Sequence, residues 1–387
     1  QFVIAAGPTH FEAWTNLGRV LSTIGKPSES IAAHQRAIKI KPEDPRGYSN
    51  LAAAFYDANL LDDAWRENQA ALAVDPAHYV GLLNCGNIAK DRGEAAQAVD
   101  YYERAIAIEP AKTEAFTNLL YTLSFTQHLP WDGYFAVAKR YEDVLRAEIR
   151  TPLSAAGAID TRRPLRVGFL SAEIGNHAVA FFLETYLRHH ARDKISVSLY
   201  PTLWRAEARR GTLLGMADHW RSLVGIDDDA AARMIRADGI DVLVDTTAHM
   251  MGSRMGIVMR RPAPVQCHYI GFHGSPGLSG YDYFIGDAWV TPQSCDPQFI
   301  EKVWRLPRLW VGYSAPEGAP DPGSRAPDAP ITFGSFNTLA KVREETLAAW
   351  AEVLCAVPGS RLRPALGGGA GPRHAGHAAR HRGPGAG

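Results

Sequence analysis

A histidine stands in "RVGFLSAEIGNHAVAFFLE", where the apolar run 167–170 gives way to small and polar residues and then to a helix-like segment. His177 occupies that turn. Open α/β sheets hold ligands at the carboxyl ends of their strands. An imidazole with a pKa of about 6.5 can take up or orient a proton there near neutral pH. The same ring can instead cap the helix that it precedes. Two more loops hold the same place in the pattern. "VLVDTTAH" ends in Asp245 and His249, and "VQCHYIGFHGSPG" runs into a glycine-rich turn, Gly271–Gly277. Glycines alone say only that the chain turns. Three polar or glycine-rich loops converging on one sheet edge point to a polar, phosphorylated ligand. Asp238 is a further acid before the strand 240–245, and by its place at a helix end it reads as a surface charge. No loop carries GxGxxG and there is no Walker motif, which disfavours a nicotinamide or flavin cofactor.

The elements that must position these loops are short and apolar. Segments 165–170, 195–200, 240–245 and 265–270 read as buried strands, and 178–190, 206–216, 228–237 and 252–259 as helices between them. Strand-helix alternation predicts a doubly wound parallel sheet.

The first third has a different period. Ala37, Ala71 and Ala105 recur every 34 residues, as do Pro42, Pro76 and Pro110. Trp14, Tyr48, Leu82 and Phe116 keep the spacing at a large apolar position; Gly18, Ala52 and Gly86 keep it at a small one. Small residues let paired helices approach closely, and the proline stops the second helix of each pair. Asn16, Asn50, Asn84 and Asn118 keep the same period, forming a column if the repeats stack. An amide has donors and an acceptor, so such a column can grip a peptide backbone of any sequence. Equally, each amide can bond the neighbouring repeat.

With 41 basic and 41 acidic residues the chain has no net charge, which argues against general affinity for nucleic acid or anionic membrane. Cys85, Cys267, Cys295 and Cys355 form no CxxC pair, so neither a disulfide framework nor a zinc site is expected, in keeping with a cytoplasmic setting. No apolar run approaches the roughly 20 residues that span a bilayer. The chain opens on Gln1, and further repeats are expected upstream.

Thirty-four-residue repeats running into this α/β segment resemble the O-linked N-acetylglucosamine transferase family, with its SPINDLY-type relatives. The resemblance rests on the repeats with their asparagine column and on "RVGFLSAEIGNHAVAFFLE", "DGIDVLVDTTAH", "RRPAPVQCHYIGFHGSPG", "YDYFIGD" and "FGSFNTLAK". It implies an α-solenoid of tetratricopeptide repeats followed by a two-lobed GT-B fold, each lobe Rossmann-like, with the nucleotide sugar in the cleft and no metal or other cofactor. It implies transfer of a sugar to Ser or Thr of acceptor proteins held along the repeat groove by Asn16, Asn50, Asn84 and Asn118. His177 takes the place of an active-site histidine, and Asp238 that of an acid in the same stretch. Lys341, with Asn337 and Thr338, falls in the motif that binds the donor diphosphate. Gly271, Phe272 and His273 lie in the loop beside the sugar.

The departures concern the donor. Many relatives carry tyrosine-proline at Phe272-His273, a pair of hydroxyl residues at Ser275-Pro276, and an amide residue at Thr338. N-acetylglucosamine from UDP-GlcNAc is the first expectation and fucose from GDP-fucose the second. A tetratricopeptide scaffold with a vestigial transferase lobe, or a GT-B enzyme acting on a lipid or small molecule, are the other readings. The resulting domains are repeats at 1–125, a closing helix and linker at 126–163, the first lobe at 164–325, the start of a second lobe at 326–362, and a tail at 363–387. The second lobe should continue with a buried strand at "SRL", but the chain reads "RPALGGGAGPRHAGHAARHRGPGAG", in which Leu366 is the only large aliphatic residue. Such a segment cannot bury enough apolar surface to offset ordering entropy, and disorder is expected, with only weak metal affinity for His374, His377 and His381. Its composition is that of a GC-rich gene read out of frame. The expectation is a chain inactive as written.

Overall fold

The computed structural model describes residues 9–125, 131–154, 157–175, 177–203, 208–315, 318, 323, 326, 328–337 and 341–364. The chain divides into two compact units, Pro110–Asp321 and Gln1–Glu109 with Pro322–Gly387.

In the latter unit six helices carry the repeats: α1 (Phe11–Thr23), α2 (Pro27–Ile40), α3 (Pro45–Asp57), α4 (Leu61–Val74), α5 (Tyr79–Asp91) and α6 (Ala95–Ile108). The 34-residue period is a packing period. Ala37, Ala71 and Ala105 are completely buried. A Cβ on Gly18 would meet the His34 ring at 2.4 Å, and one on Gly86 would meet the Tyr102 ring at 2.4 Å. Glycine is therefore required where the facing side chain is a ring. Hydrogen bonds between repeats keep the register too: Ser22 donates to Asp57 and, one repeat later, Tyr56 donates to Asp91.

The same unit holds β8 (Thr332–Ser335), α13 (Glu344–Ala356) and β9 (Arg361–Pro364). β8 and β9 pair in parallel, Thr332 opposite Arg361. The strand expected at "SRL" is present, but exposed, and Arg363 and Pro364, placed in the tail by composition, belong to it. No side chain of α13 is buried. The rest of the expected disordered tail, 365–387, lies outside the described residues.

The unit Pro110–Asp321 opens with α7 (Glu114–Phe125) and α8 (Trp131–Ala147). Phe116, the fourth large repeat position, stacks on Tyr141 of α8 with centroids 5.6 Å apart. The sheet follows: β1 (Leu165–Ser171), β2 (Ile195–Pro201), β3 (His219–Trp220), β4 (Val242–Asp245), β5 (Val265–His268), β6 (Tyr283–Asp287) and β7 (Lys302–Leu306). All pairings are parallel and the order is β3-β2-β1-β4-β5-β6-β7. Helices α9 (Ala178–His189), α10 (Ala208–Met216), α11 (Asp228–Ala237) and α12 (Met255–Met259) make the crossovers. β1, β2, β4 and β5 are buried along most of their length, as parallel strands covered on both faces must be. β3, β6 and β7 go beyond the four strands legible in the sequence. β3 is two residues long, and β6 and β7 are linked without an α-helix, through a 3-10 turn at Gln293–Gln298.

Helix α8 is tied to this sheet. Tyr134 donates to the Ser275 carbonyl at 2.6 Å, and Glu142 accepts from the Ser279 N–H and hydroxyl at 2.8 and 2.9 Å.

Candidate functional site

Parallel strands bring the turns after β1, β4, β5 and β6 to one edge. The turn after β1 holds Glu173, 7% exposed. Its carboxyl accepts from the hydroxyls of Thr247 at 2.8 Å, Ser171 at 3.1 Å and Thr246 at 3.1 Å. Burial outweighs these bonds and pushes the carboxyl up to about 7. His177 follows, exposed, with extended backbone. Its Nδ1 accepts from the Val179 N–H at 3.3 Å and caps α9. The ring that could cap a helix or face a ligand does cap the helix. With Nδ1 accepting, a neutral ring carries its proton on Nε2. Asn176 lies outside the described residues.

After β4, Asp245 is buried and accepts from the Thr247 and Ala248 N–H groups, both at 3.0 Å, and from the Tyr281 hydroxyl at 2.6 Å. Burial pushes its carboxyl up, but His268, 3.9 Å away, Tyr281 and the Thr247 N–H together outweigh that and hold it below the usual range. His249 is also buried, with burial lowering its pKa to about 4. Asp245 and His249 therefore build the edge rather than face its ligand.

The loop after β5 is held on every side. His268 Nε2 donates to the Phe272 carbonyl at 2.8 Å and His249 Nε2 to the Pro276 carbonyl at 2.9 Å. Glu301, buried, accepts from the Ser275 hydroxyl at 2.7 Å and the Gly277 N–H at 3.1 Å. Gly271 can carry no side chain, since a Cβ would lie 1.7 Å from the Thr246 carbonyl oxygen. Two non-glycine residues beside it have left-handed backbone, Ala248 with φ +42° and the β-branched Ile270 with φ +74°. Such conformations cost about 1–3 kcal/mol each and cluster where a site demands them.

Beyond β6, Asp287 accepts from the Trp310 N–H at 2.7 Å, and Tyr269 donates to the Trp310 carbonyl at 2.6 Å. These bonds set Trp310 against Val179, in the first turn of the helix that His177 caps, and Ile270. His273 meets the Trp310 ring edge-on, centroids 5.0 Å apart. Gly271, Phe272, His273 and His177 thus gather at the carboxyl edge.

Asp238 does not join them. It follows α11, ahead of β4, so it lies towards the amino ends of the strands. Its carboxylate pairs with Arg221 at 3.0 Å and accepts from Tyr200 at 2.8 Å, and Arg166, near the start of β1, donates to its carbonyl. In the other unit, Lys341 and Asn337 are exposed between β8 and α13; Thr338 lies outside the described residues. In the asparagine column, Asn84 donates to the Asn68 side-chain amide oxygen at 3.4 Å and reaches the Ser49 backbone carbonyl at 3.5 Å. Asn16 is exposed and lines a hollow of about 620 Å³ with His10, Leu17 and Glu29. Asn50 and Asn118 are half-buried, the latter in the unit of the sheet. Among the described residues no group of three or more His, Cys, Asp or Glu is placed to hold a metal, and no helix is long and apolar enough to cross a membrane.

Glycosyl transferase family 41 matches residues 148–313, and tetratricopeptide repeats match 11–44 and 82–115. The solved O-GlcNAc transferase of Thermobaculum terrenum superposes with a TM-score of 0.80 at 28% identity, over 92% of this chain and 68% of that one. Residues 148–313 are a glycosyl transferase family 41 domain behind tetratricopeptide repeats, and the chain is similar to O-GlcNAc transferases. Two plant relatives are each called a probable UDP-N-acetylglucosamine–peptide N-acetylglucosaminyltransferase SPINDLY. That of Arabidopsis thaliana is 37% identical over 52% of this chain and 23% of its own, and that of rice 32% identical over 68% and 29%. The chain thus spans less than a third of the length of these relatives.

The sequence reading missed the groups that shape the edge: Glu173, His268, Glu301 and Trp310. Glu173 was readable in part, as the acid two residues past a strand end. Glu301 and Trp310 come from far along the chain and reach the edge only through the sheet order.

Proposed function

We propose that the protein is a glycosyltransferase that moves a sugar from a nucleotide donor to Ser or Thr hydroxyls of proteins. UDP-GlcNAc is the first donor and GDP-fucose the second. The observation that carries this reading is the carboxyl edge itself, where the exposed His177 and the glycine loop Gly271–Gly277 come together on one strained and closely held surface. The names of the relatives support the donor class.

A Ser or Thr hydroxyl is a weak nucleophile and needs orientation. While the cap on α9 holds, His177 offers an Nε2–H, so its role is to donate to and orient a sugar or acceptor oxygen rather than to accept the acceptor's proton. Lys341, with Asn337 and Thr338, meets the donor diphosphate and balances the charge that builds on it as the bond to the sugar breaks. That leaves no task for a metal. The repeats hold the acceptor polypeptide. Asn16 is the column's most accessible amide and Asn84 is the one most engaged within the solenoid. The four free cysteines accord with a cytoplasmic setting. Incubation with radiolabelled UDP-GlcNAc or GDP-fucose and a protein acceptor, of this chain and of a version whose second lobe is restored, tests this. Label in protein from the restored version, lost in His177→Ala, and none from the chain as written, is the expected result; no label from the restored version with either donor sinks the reading.

A further inference from the structure

The turn that runs from β1 into α9 is fastened to the turn after β4. Ala172 donates its N–H to the Thr247 hydroxyl at 3.0 Å. Glu173 sends its buried side chain to the same place, where Oε2 takes the hydroxyls of Ser171, Thr246 and Thr247. Ser171 in turn accepts from the Glu173 N–H at 3.2 Å. Ile174, next in the chain, is buried in the core with Ala180 and Leu183 of α9. The turn then reaches His177 and the cap on Val179. Asp241 and Asp238, at the other end of the strands, are paired with arginines. Among the described residues no cation pairs with Glu173. A buried carboxylate held only by neutral hydroxyls is costly. A neutral side chain would make comparable bonds without that cost, so the acid brings something beyond packing: a hold that depends on its proton.

We propose that Glu173 is a positioning residue, a latch between the turns after β1 and β4 that fixes where His177 stands at the carboxyl edge. The inference rests on the glycosyltransferase reading only for what His177 does there. Protonated, the carboxyl is neutral and the hydroxyls retain it. Ionised, it adds a second negative charge beside Asp245, which is itself held below the usual carboxylate range. A buried charge without a cation is driven towards water, and the turn goes with it. Asp245 is the charged group that faces Glu173 from the turn after β4, with His268 3.9 Å from Asp245; Ser171, Thr246 and Thr247 stay neutral. His177, further along the same turn, is the other titratable group. The latch therefore holds below a pH of about 7 and loosens above it.

Backbone amide signals of the isotope-labelled full chain give the readout, Ala172 and Val179 for the two ends of the turn and β2 for the fold. Both ends should move through a shared transition at about pH 7. Glu173→Gln keeps the bonds and cannot ionise, so that transition should vanish from both. Val179 should then keep only the step that belongs to the His177 ring, recognised by its loss in His177→Ala. At about pH 6, Glu173→Ala should speed exchange of the Val179 amide about tenfold, with Glu173→Gln within about twofold of the unmodified chain and the β2 amides unchanged. A transition at Ala172 that never reaches Val179 overturns the inference, since Glu173 would then brace only its own strand end. Exchange at Val179 that is equal in Glu173→Ala and the unmodified chain, or as fast in Glu173→Gln as in Glu173→Ala, overturns it too. If Glu173→Ala loosens β2 as well, the pH comparison with Glu173→Gln decides alone. None of these readouts needs sugar transfer. A failed latch therefore leaves the glycosyltransferase reading standing, and failed transfer leaves the latch to be judged by the amides.

Discussion

The two ends of the central strands are built differently. At the amino end, carboxylates, the buried Asp241 among them, are paired with arginines. Arg163 grips Asp241 through two bonds of 2.7 and 2.9 Å, and Arg221 pairs with Asp238 at 3.0 Å. At the carboxyl end, Glu173, Asp245, His249, His268 and Glu301 are buried, two non-glycine residues have left-handed backbone, and a glycine touches the neighbouring loop. Among the described residues the amino end has one left-handed non-glycine residue, Arg261, and pairs its carboxylates with arginines; the carboxyl end buries more titratable groups and has two such residues, and such breaches concentrate where function demands them. A histidine at the carboxyl edge and an aspartate towards the amino edge are therefore not equivalent candidates, although the sequence offers both.

The largest expected effect lies at the carboxyl edge. Gly271→Ala drives a Cβ into the Thr246 carbonyl and should cost about 3 kcal/mol or more, read as a drop in urea midpoint. A loss below about 1 kcal/mol would mean that the loop is not held as described. Glu173 comes next. Its carboxyl titrates near 4.5 in the unfolded chain and about 7 in the folded one, so between those values only the folded state keeps the proton. Stability should fall as pH rises through this window, by about 3 kcal/mol in all, and Glu173→Gln should flatten that slope.

The amino edge should show the opposite sign. The largest effect on Asp241 is burial, which raises its pKa, but Arg163 and the Arg166 N–H outweigh it and hold the carboxyl low. Its stabilisation is present above the unfolded value of 3.8 and lost as pH falls through the lower folded one. Asp241→Asn should therefore lower the urea midpoint at pH 7, with the gap from the unmodified chain closing in acid. Asp238→Ala should cost no more than about 1 kcal/mol, the worth of a partly exposed pair, and leave sugar transfer intact in the version whose second lobe is restored. Loss of transfer with the fold retained would restore Asp238 as a catalytic candidate and erase the contrast between the edges. The smallest effects fall in the repeats. Asn84→Ala should cost about 1 kcal/mol for its inter-repeat bonds. Asn16→Ala should leave stability within about 0.5 kcal/mol while weakening capture of an acceptor peptide. Equal destabilisation by both would make the column structural throughout.

The repeats were legible because their packing is local and recurs. The proximity of Gly18 to His34 repeats as that of Gly86 to Tyr102, so one sequence period reports it. The strands buried on both faces were legible as apolar runs. β6 and β7 were not, being partly exposed and joined without a crossover helix. His177 was legible as a residue at a turn, but whether its ring capped the helix was not, since that depends on the angle at which α9 leaves the sheet.

The amino-acid sequence by itself determined the repeat register, the parallel α/β class and the loops in which chemistry could sit, because these follow from periodicity and from contacts within a few tens of residues. Only the tertiary structure decided which polar residues face outward. Strand order carries Trp310 and Glu301 to the edge, buries Asp245 and His249 as its supports, and leaves Asp238 towards the opposite end. Burial is set by neighbours distant in the chain, and no local spacing records it.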